Sequence, residues 1–556
     1  MTPSVRRRLA WFAVLLGLLA LSLALRLPGL EAKPLHSDEG VNGWFTLRLY
    51  WWNVYRYQPS DYHGPFLYYV NLIFFQLLGP TDRALRMGTV LGGSVAILAL
   101  LPARRWLGLA GTAVIGLLLA VAPVMVYFSR TNIHEVYLVL FTALWAASLA
   151  RFAQAPSIRW GALAGLSALL CFANKETAIL TTGSLGLAAA ASWLLGKPST
   201  DPRDPDLFGG RGRVAALRAW TLEQPLAWVA GLAIFAVVLV LLFSSFFTYW
   251  YGVSGFFRAF TPWLEHGSSG RNQGKPFGYF FDVMLRSEGW ALWAALLPAL
   301  WALVRRHRLG IALVVWAGVA FLVYSSIPYK TPWCVLNIDL PIFLLCGWGA
   351  QQGWLWLTAA GRTRSLAALG IVAMVAPLTA LPGLWSETRE VSADGYDDSK
   401  IPYVYVQTVR GLFDMMSDHL GVGAVATDDG LGPRVINLEA KNPARWYVIT
   451  RGWDHQRTEY TTKPPSAEDI ADADIVVATG KGERKTRERV QESDGVWHKE
   501  TYPLRPGWRI SAWYRQPLWD AYQEAGGREA WAWPVAESDR VHRPPKPKRY
   551  RPKSER

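Results

Sequence analysis

The chain has 556 residues, of which 51% are hydrophobic and only 18% are charged. This length allows several domains, and the low charge content with a positive mean hydropathy indicates a membrane protein rather than a soluble one. The three cysteines have no CxxC spacing, so neither a disulfide framework nor a zinc site is expected. The net charge of +15 would suggest nucleic-acid binding in a soluble protein. Here many arginines stand in short loops between apolar runs, so we interpret them as topology signals and expect no nucleic-acid partner.

The first apolar run, residues 9–27, follows three arginines at 6–8 and has no small-residue cleavage site before Pro28. We therefore predict an uncleaved first membrane span. Further runs of roughly 15 to 23 apolar residues are predicted as spans. They are residues 87–101, 109–127, 136–149, 160–172, 177–195, 226–247, 290–304, 309–327, 335–357 and 366–381.

The loops between these runs predict the topology. With a cytoplasmic N-terminus, every loop on the inner side contains arginine or lysine, as the positive-inside rule requires. Counting residues 66–78 as a span would reverse this pattern, so we expect that segment to lie along the outer surface or to re-enter. The prediction is an α-helical membrane domain over residues 1–384 in the plasma (inner) membrane, with about eleven spans and large outer loops at 28–86 and 248–289.

After residue 384 the chain becomes polar, and we predict an extracytoplasmic α/β domain over residues 385–535. The amphipathic segment 405–420 favours a helix. Three short apolar runs favour buried parallel strands: 422–427, 445–449 and 474–478. Residues 536–556 are basic and rich in proline, which predicts a disordered tail. The tail either contacts anionic head groups or cell-wall polymers, or is simply solvated.

Two acidic residues stand about ten positions after the first span. Asp38 and Glu39 follow His36, and Asp61 and His63 come later in the same loop. A partly desolvated carboxylate at the membrane surface can act as a base toward a hydroxyl group. The alternative is structural, because carboxylates also favour the N-terminus of a helix, here one beginning near Gly40.

Further ionisable residues stand at the predicted outer ends of other spans. They are Arg130, His134, Glu135, Lys175, Glu176 and Lys330. Such groups are costly at membrane depth and usually have a function or a partner. Arg130, Lys175 and Lys330 are candidates to hold a phosphate group as it leaves. Alternatively, Lys175 pairs with Glu176, and Arg130 with Glu135, as interfacial ion pairs.

The second outer loop contains a glycine-rich, basic stretch at residues 267–275, which includes Arg271 and Lys275. It is either a mobile lid over a phosphate or sugar, or a plain flexible loop. The histidines and carboxylates of the outer surface include types that bind divalent metals, but their spacing selects no ligand set. We expect no cofactor, with a divalent metal as the alternative.

Three segments resemble a known group of proteins: His36-Ser37-Asp38-Glu39-Gly40, the stretch 61–69 (DYHGPFLYY), and the stretch 81–86 (TDRALR), which ends in Arg86. They look like the GT-C superfamily of membrane glycosyltransferases, which includes the protein O-mannosyltransferases and the aminoarabinose lipid A transferases. The stretches 403–408 (YVYVQT) and 504–507 (LRPG) look like the branch of flippase-activity-associated membrane proteins.

The resemblance implies transfer of a sugar from a polyprenyl-phosphate carrier to a lipid, glycan or protein acceptor at the outer face. The general base of such enzymes matches Asp38, with Glu39 supporting the site or binding the acceptor. We predict substrate-binding roles for the other ionisable residues named above: His36, Asp61, His63, Arg86, Arg130, His134, Glu135, Lys175, Glu176, Arg271, Lys275 and Lys330. Trp44, Tyr68 and Tyr69 are expected to stack on sugar. Gly64 departs from the His-Pro-Pro pattern of the transferases, which leaves donor and acceptor open.

Two rivals to a transferase remain at this stage. A non-enzymatic GT-C-like scaffold would assist flipping or presentation of lipid-linked glycans, with the acidic pair binding rather than reacting. A solute transporter is the other class, but transporters place polar residues at the midplane. Here the charged residues collect at the predicted outer ends.

Overall fold

The computed structural model describes most of the chain, with gaps. The described ranges are 3–60, 63–199, 201–268, 274–359, 385–387, 389–391, 400–426, 433–438, 443–451, 458–461 and 463–531. The predicted span at 366–381, the predicted tail at 536–556, Asp61 and Arg271 lie outside them.

The membrane domain is helical throughout. Its α-helices are α1 Pro3–Arg26, α2 Ser37–Trp52, α3 Phe66–Leu78, α4 Asp82–Val95, α5 Arg104–Val121, α6 Pro123–Ser129, α7 Glu135–Gln154, α8 Ile158–Asn174, α9 Ala178–Leu195, α10 Arg213–Arg218, α11 Pro225–Phe243, α12 Tyr251–Arg258, α13 Phe260–Ser268, α14 Tyr279–Arg305, α15 Arg308–Ser326 and α16 Leu336–Ala359. Short turns of other helix types stand at Leu98–Ala103, Ala219–Glu223 and Pro332–Val335.

Within the described ranges, eight helical stretches are long and apolar enough to cross a membrane. Two of the predicted spans, 87–101 and 109–127, fall largely within one continuous stretch, Asp82–Val121, and a third, 160–172, lies in the shorter helix α8. The membrane-embedded helical architecture is confirmed, and the count of eleven spans stays a prediction.

Helix α3 is the segment that we expected not to span. Its 13 residues rise about 20 Å, which is less than the hydrocarbon thickness of a bilayer. Leu67 and Phe75 are buried, whereas Leu77 is 70% exposed. That the helix lies along the outer surface or re-enters the membrane stays a prediction.

Helices α8 and α11 pack backbone to backbone through small residues. A Cβ atom on Gly161 would stand 2.0 Å from the carbonyl oxygen of Ala227, and one on Gly165 would stand 2.1 Å from that of Gly231. Small residues permit this close approach of helices in membranes, where van der Waals contact drives association.

The C-terminal domain is a mixed sheet flanked by helices. The strands are β1 Val435–Leu438, β2 Thr458–Thr461, β3 Ile475–Thr479, β4 Trp497–Arg505 and β5 Trp508–Arg515, in the order β2-β1-β3-β5-β4. Strand β1 is parallel to β2 and β3, whereas β5 is antiparallel to β3 and β4. The helices are α17 Gly411–Val425, α18 Ala444–Arg451, α19 Ala467–Ala471, α20 Glu483–Glu492, α21 Gln516–Glu524 and α22 Gly527–Ala530.

The predicted α/β character of this domain is confirmed, but two of its predicted strands are wrong. Residues 422–425 continue helix α17, and residues 445–449 lie in helix α18. A short apolar run that is buried on all sides has no periodicity to separate helix from strand, so tertiary packing decides. The run 474–478 does form a strand, β3, at the centre of the sheet.

The C-terminal domain packs on the membrane domain through a shared apolar cluster. Leu47 of α2 and Leu85 of α4 are fully buried in the same cluster as Trp446 and Tyr447 of α18. A Cβ atom on Gly43 would stand 2.6 Å from the Trp446 ring, so the α2 surface is shaped to receive that ring.

The close contact between α8 and α11 predicts that a methyl group added at their interface lowers the stability of the protein. Gly161→Ala should lower the melting temperature of the purified protein in detergent, because the new methyl group forces the two helices apart, at about 1–3 kcal/mol for overpacking. Gly183→Ala is the matched control, because a Cβ at Gly183 meets nothing within 4 Å. Equal melting temperatures for the two variants would contradict the close approach.

Candidate active site

Helix α2 begins with a reciprocal cap that involves the predicted acidic pair. His36 is the N-cap residue, and its Nδ1 accepts a hydrogen bond from the Asp38 backbone N–H at 3.1 Å. The Glu39 carboxylate accepts one from the His36 N–H at 2.8 Å. The structural alternative is therefore correct for Glu39, in a helix that begins three residues before Gly40. Asp38 instead has a half-exposed side chain.

Glu39 is fully buried in a bidentate ion pair with Arg86 of α4. Arg86 Nε and Nη2 donate to its two oxygens at 2.8 Å each, and the Asn132 N–H donates to Oε1 at 2.8 Å. The same guanidinium donates to carbonyl oxygens of segment 30–34. Burial alone would raise the pKa of Glu39, but Arg86 lowers it to about 2. Glu39 is thus a fixed anion that holds the loop carrying Asp38.

The C-terminal domain holds the same loop from the other side. The Tyr447 hydroxyl donates to Asp82 at 2.8 Å and accepts from the Leu35 N–H at 2.9 Å. The Gln407 amide donates to the Pro34 carbonyl at 3.0 Å. His36 Nε2 lies 3.1 Å from the Tyr405 carbonyl, which can only accept, so this nitrogen is the protonated one. The C-terminal domain thus helps to fix the position of the loop that carries Asp38.

Asp38 lines a cavity of about 850 Å³ between the loop that follows α1 and the ends of several helices. Its wall also carries five of the ionisable residues predicted from the sequence, namely His63, His134, Glu135, Lys175 and Glu176. Another part of the wall is apolar and aromatic, with Trp263, Leu264, Phe280, Leu322 and Trp333. The cavity therefore offers three carboxylates and the Lys175 ammonium group beside an apolar surface.

The ion pairs in this cavity differ from those expected. Lys175 Nζ contacts Glu135, and His63 Nδ1 lies 3.1 Å from Glu176 Oε2. The expected pairs, Lys175 with Glu176 and Arg130 with Glu135, are wrong. Side chains of consecutive residues diverge, so partners come from other segments of the chain.

Two protonation states follow from burial and these neighbours. Burial opposes the charge on Lys175, but Glu135 raises the pKa of its ammonium group, so Lys175 is a cation. Burial lowers the pKa of His134, as do the nearby His63 and Lys175, so His134 is neutral. The His63 and His134 rings lie 4.7 Å apart.

Five described residues that were predicted for substrate binding do not line this cavity, and the first of them, His36, caps α2. Arg86 holds Glu39, as described above. Arg130 donates to the carbonyl oxygens of Arg26 at 2.7 Å and Gly29 at 3.1 Å. Lys330 Nζ donates to the Ile327 carbonyl at 2.7 Å, and Lys275 Nζ to that of Lys330 at 2.9 Å. These cations bind backbone carbonyls in the structure, and their substrate-binding roles stay predictions.

Of the three aromatic residues predicted to stack on sugar, Tyr68 alone lines the cavity. Trp44 lies under the Arg445 guanidinium, 4.0 Å from the ring centroid, and the Tyr69 hydroxyl donates to Ser245 at 3.1 Å. Trp263 and Trp333 line the wall but were missed. Since tryptophan is enriched at membrane interfaces generally, its presence in an outer loop did not distinguish them.

Gly64 departs from the expected His-Pro-Pro pattern for a local steric reason. A Cβ atom there would stand 2.1 Å from the Ala173 carbonyl oxygen, and the Gly64 N–H donates to the Asn174 carbonyl at 3.2 Å. Proline would lose that hydrogen bond and add atoms where none fit. Gly64 thus anchors His63 beside Lys175 and Glu176.

Within the described ranges, no group of three or more His, Cys, Asp or Glu side chains is arranged to hold a metal ion. Asp61, one of the possible ligands, lies outside those ranges. The expectation that no cofactor is needed therefore stays a prediction.

The packing of Gly64 predicts a graded loss of stability. Gly64→Ala should melt at a lower temperature than the unchanged protein, and Gly64→Pro lower still, because proline also removes the hydrogen bond to Asn174. Gly353→Ala is the control, since a Cβ at Gly353 meets nothing within 4 Å. Thermal unfolding followed by tryptophan fluorescence gives the ranking, and a Gly64→Pro variant as stable as the control would contradict it.

Comparisons with known proteins bear on the fold and the family. Residues 62–202 match the family model of dolichyl-phosphate-mannose-protein mannosyltransferases. This segment contains His63, His134, Glu135, Lys175 and Glu176 but begins after Asp38. A search of the curated proteins found no match.

Two crystal structures of ArnT from Cupriavidus metallidurans are similar to this chain over nearly its whole length. The one bound to undecaprenyl phosphate is 16% identical, with a TM-score of 0.53 over 90% of this chain and 97% of that one. The apo structure is 14% identical, with a TM-score of 0.52 over 92% of this chain and 98% of that one. At these identities the likeness establishes the fold, and the predicted link to the flippase-activity-associated branch stays a prediction. The chain therefore shares the fold of ArnT, and its residues 62–202 are similar to the dolichyl-phosphate-mannose-protein mannosyltransferase family.

Proposed function

We propose that this protein transfers a sugar from a polyprenyl-phosphate carrier to an acceptor at the outer face of the membrane, with Asp38 as the general base. The observation that carries the proposal is the cavity itself. A half-exposed carboxylate, Asp38, and a buried cation, Lys175, line one space whose remaining wall is largely apolar.

Asp38 is suited to the role of base by its surroundings. Its neighbours His36 and Glu39 are fixed by the helix cap, and Glu39 is further held by Arg86, so the Asp38 backbone has little freedom. In the proposed step, Asp38 accepts the proton of the acceptor as the acceptor oxygen or nitrogen attacks the anomeric carbon. The bond to the carrier phosphate breaks at the opposite face, which inverts the configuration.

Lys175 is the leading candidate to stabilise the departing phosphate. Negative charge develops on that group in the transition state, and a preorganised cation in a water-poor site stabilises it. Among the three phosphate candidates proposed from the sequence, Lys175 alone lines the cavity. Glu135 keeps its ammonium group in place, and His63 and Glu176 stand beside it.

The apolar part of the wall suits a lipid-linked donor. Trp263, Leu264 and Phe280 come from α13 and α14, whose described lining residues are neither acidic nor basic. A solved structure of the similar ArnT contains undecaprenyl phosphate. We propose that the carrier's prenyl chain leaves the cavity along this wall, and that the reaction uses no metal.

Replacing the proposed base should stop transfer. Asp38→Asn keeps the size of the side chain but removes the proton acceptor, so sugar transfer from a polyprenyl-phosphate donor should fall by about 10²–10⁴-fold. Asp282→Asn, an exposed aspartate on α14, is the matched control and should keep full activity. If Asp38→Asn transfers sugar within a fewfold of the unchanged protein, the base assignment fails and a presenting or flipping role gains support.

Replacing the proposed phosphate partner should chiefly weaken use of the donor. Lys175→Gln removes a charge-assisted contact of about 1.5–3 kcal/mol, so kcat/KM for the donor should fall roughly 10- to 100-fold. Lys175→Arg, which keeps the charge, should recover part of the loss. Lys330→Gln is the control, because that ammonium group donates to backbone carbonyls and Lys330 does not line the cavity. A larger loss in Lys330→Gln than in Lys175→Gln would reverse the assignment.

A further inference from the structure

A group of four arginines lies at the end of the membrane domain opposite the cavity. Arg104 and Arg105 begin α5, Arg151 is in the last turn of α7, and Arg159 is in the first turn of α8. Glu135 at the cavity and Arg151 lie on the same helix, α7, about 24 Å apart along its axis, which is most of a bilayer's hydrocarbon thickness. We call these four residues the arginine cluster.

Two shared contacts bring three members of the arginine cluster together, Arg105, Arg151 and Arg159. Arg105 and Arg151 both donate to Gln154 Oε1, the latter at 2.8 Å. The guanidinium carbons of Arg151 and Arg159 each lie 4.8 Å from the centroid of the Trp160 ring. Arg151 therefore experiences repulsion from the other three cations.

No acidic side chain in the described ranges pairs with the arginine cluster. The loop that touches Gln154 is acidic, since the Gln154 amide donates to the Asp206 carbonyl at 3.3 Å. Its carboxylates are nevertheless engaged elsewhere, Asp206 with Arg308 at 2.9 Å and Asp204 with His307 at 2.8 Å. The four positive charges thus lie together without a described counter-charge.

An apolar surface that suits acyl chains adjoins the arginine cluster. Phe152, next to Arg151, packs edge-on against Trp228 of α11 at 4.9 Å. Trp228 is 43% exposed, and its neighbours Leu226 and Val229 are 63% and 60% exposed. In a membrane this surface faces lipid.

We propose that the arginine cluster binds the head group of an anionic phospholipid whose acyl chains lie along the exposed face of α11. A phosphodiester oxygen pair accepts hydrogen bonds from planar guanidinium groups in a bidentate geometry. Such an anion would relieve the repulsion around Arg151, and Trp160 marks the depth at which head groups lie. Arginines that served only to set the topology of the chain would not need to gather around the Gln154 amide and the Trp160 ring.

The test is binding of phosphatidylglycerol to the purified full-length protein in detergent, measured by native mass spectrometry and titration. Arg151→Gln with Arg159→Gln should weaken binding at least tenfold. Arg305→Gln with Arg306→Gln is the matched control. It removes the same number of positive charges at the end of another helix and should change binding less than twofold. Phosphatidylcholine should not compete.

Several results would overturn the proposal. They are unchanged binding in the Arg151/Arg159 variant, equal losses in both double variants, or full competition by soluble glycerol phosphate, which would mean a free-anion site. Should the double variant fold poorly, the exposed Arg105→Gln replaces it, with an expected loss of about threefold. Asp38→Asn should bind phosphatidylglycerol normally, so this test is independent of the proposed transfer reaction.

Discussion

The buried ion pair between Glu39 and Arg86 is the interaction on which the site depends. It joins the first turn of α2, the α4 helix, segment 30–34 and the backbone of Asn132 at one point from which water is excluded. Removing one partner of such a pair leaves a buried charge without compensation, at about 3–5 kcal/mol. Because Asp38 precedes Glu39 directly, any movement of the pair displaces the proposed base.

The two adjacent carboxylates have different surroundings because a helix turns by about 100° per residue. Glu39 points into the protein, where the His36 N–H and the Arg86 guanidinium donate hydrogen bonds to its two oxygens. Asp38 points toward the cavity with half of its side chain exposed. The C-terminal domain adds a second support through Tyr447 and Gln407, so the loop is held from the membrane side and from the domain side.

The sequence alone predicted the membrane architecture, the α/β domain and most of the charged cavity wall. Hydrophobic runs and ionisable residues at their ends are local signals, so Asp38, His63, Glu135 and Lys175 could be found without a structure. The ion-pair partners of these residues could not be predicted, since Lys175 contacts Glu135, which is 40 positions away in the chain. The same limit explains Arg130, whose carbonyl partners belong to α1 and the residues after it. The misassigned strand at 445–449 is a helix because its aromatic residues pack against α2 and α4.

The most direct measurement of the central claim is a double-mutant cycle on the buried pair, read as the rate of sugar transfer from a polyprenyl-phosphate donor. Glu39→Gln, Arg86→Gln and the double variant should all retain Asp38 yet lose much of their activity. Because the two side chains act as one unit, the double variant should be little worse than either single one, with a coupling energy of roughly 1–3 kcal/mol. Losses that simply add would mean that the pair does not hold the base, and would contradict the account.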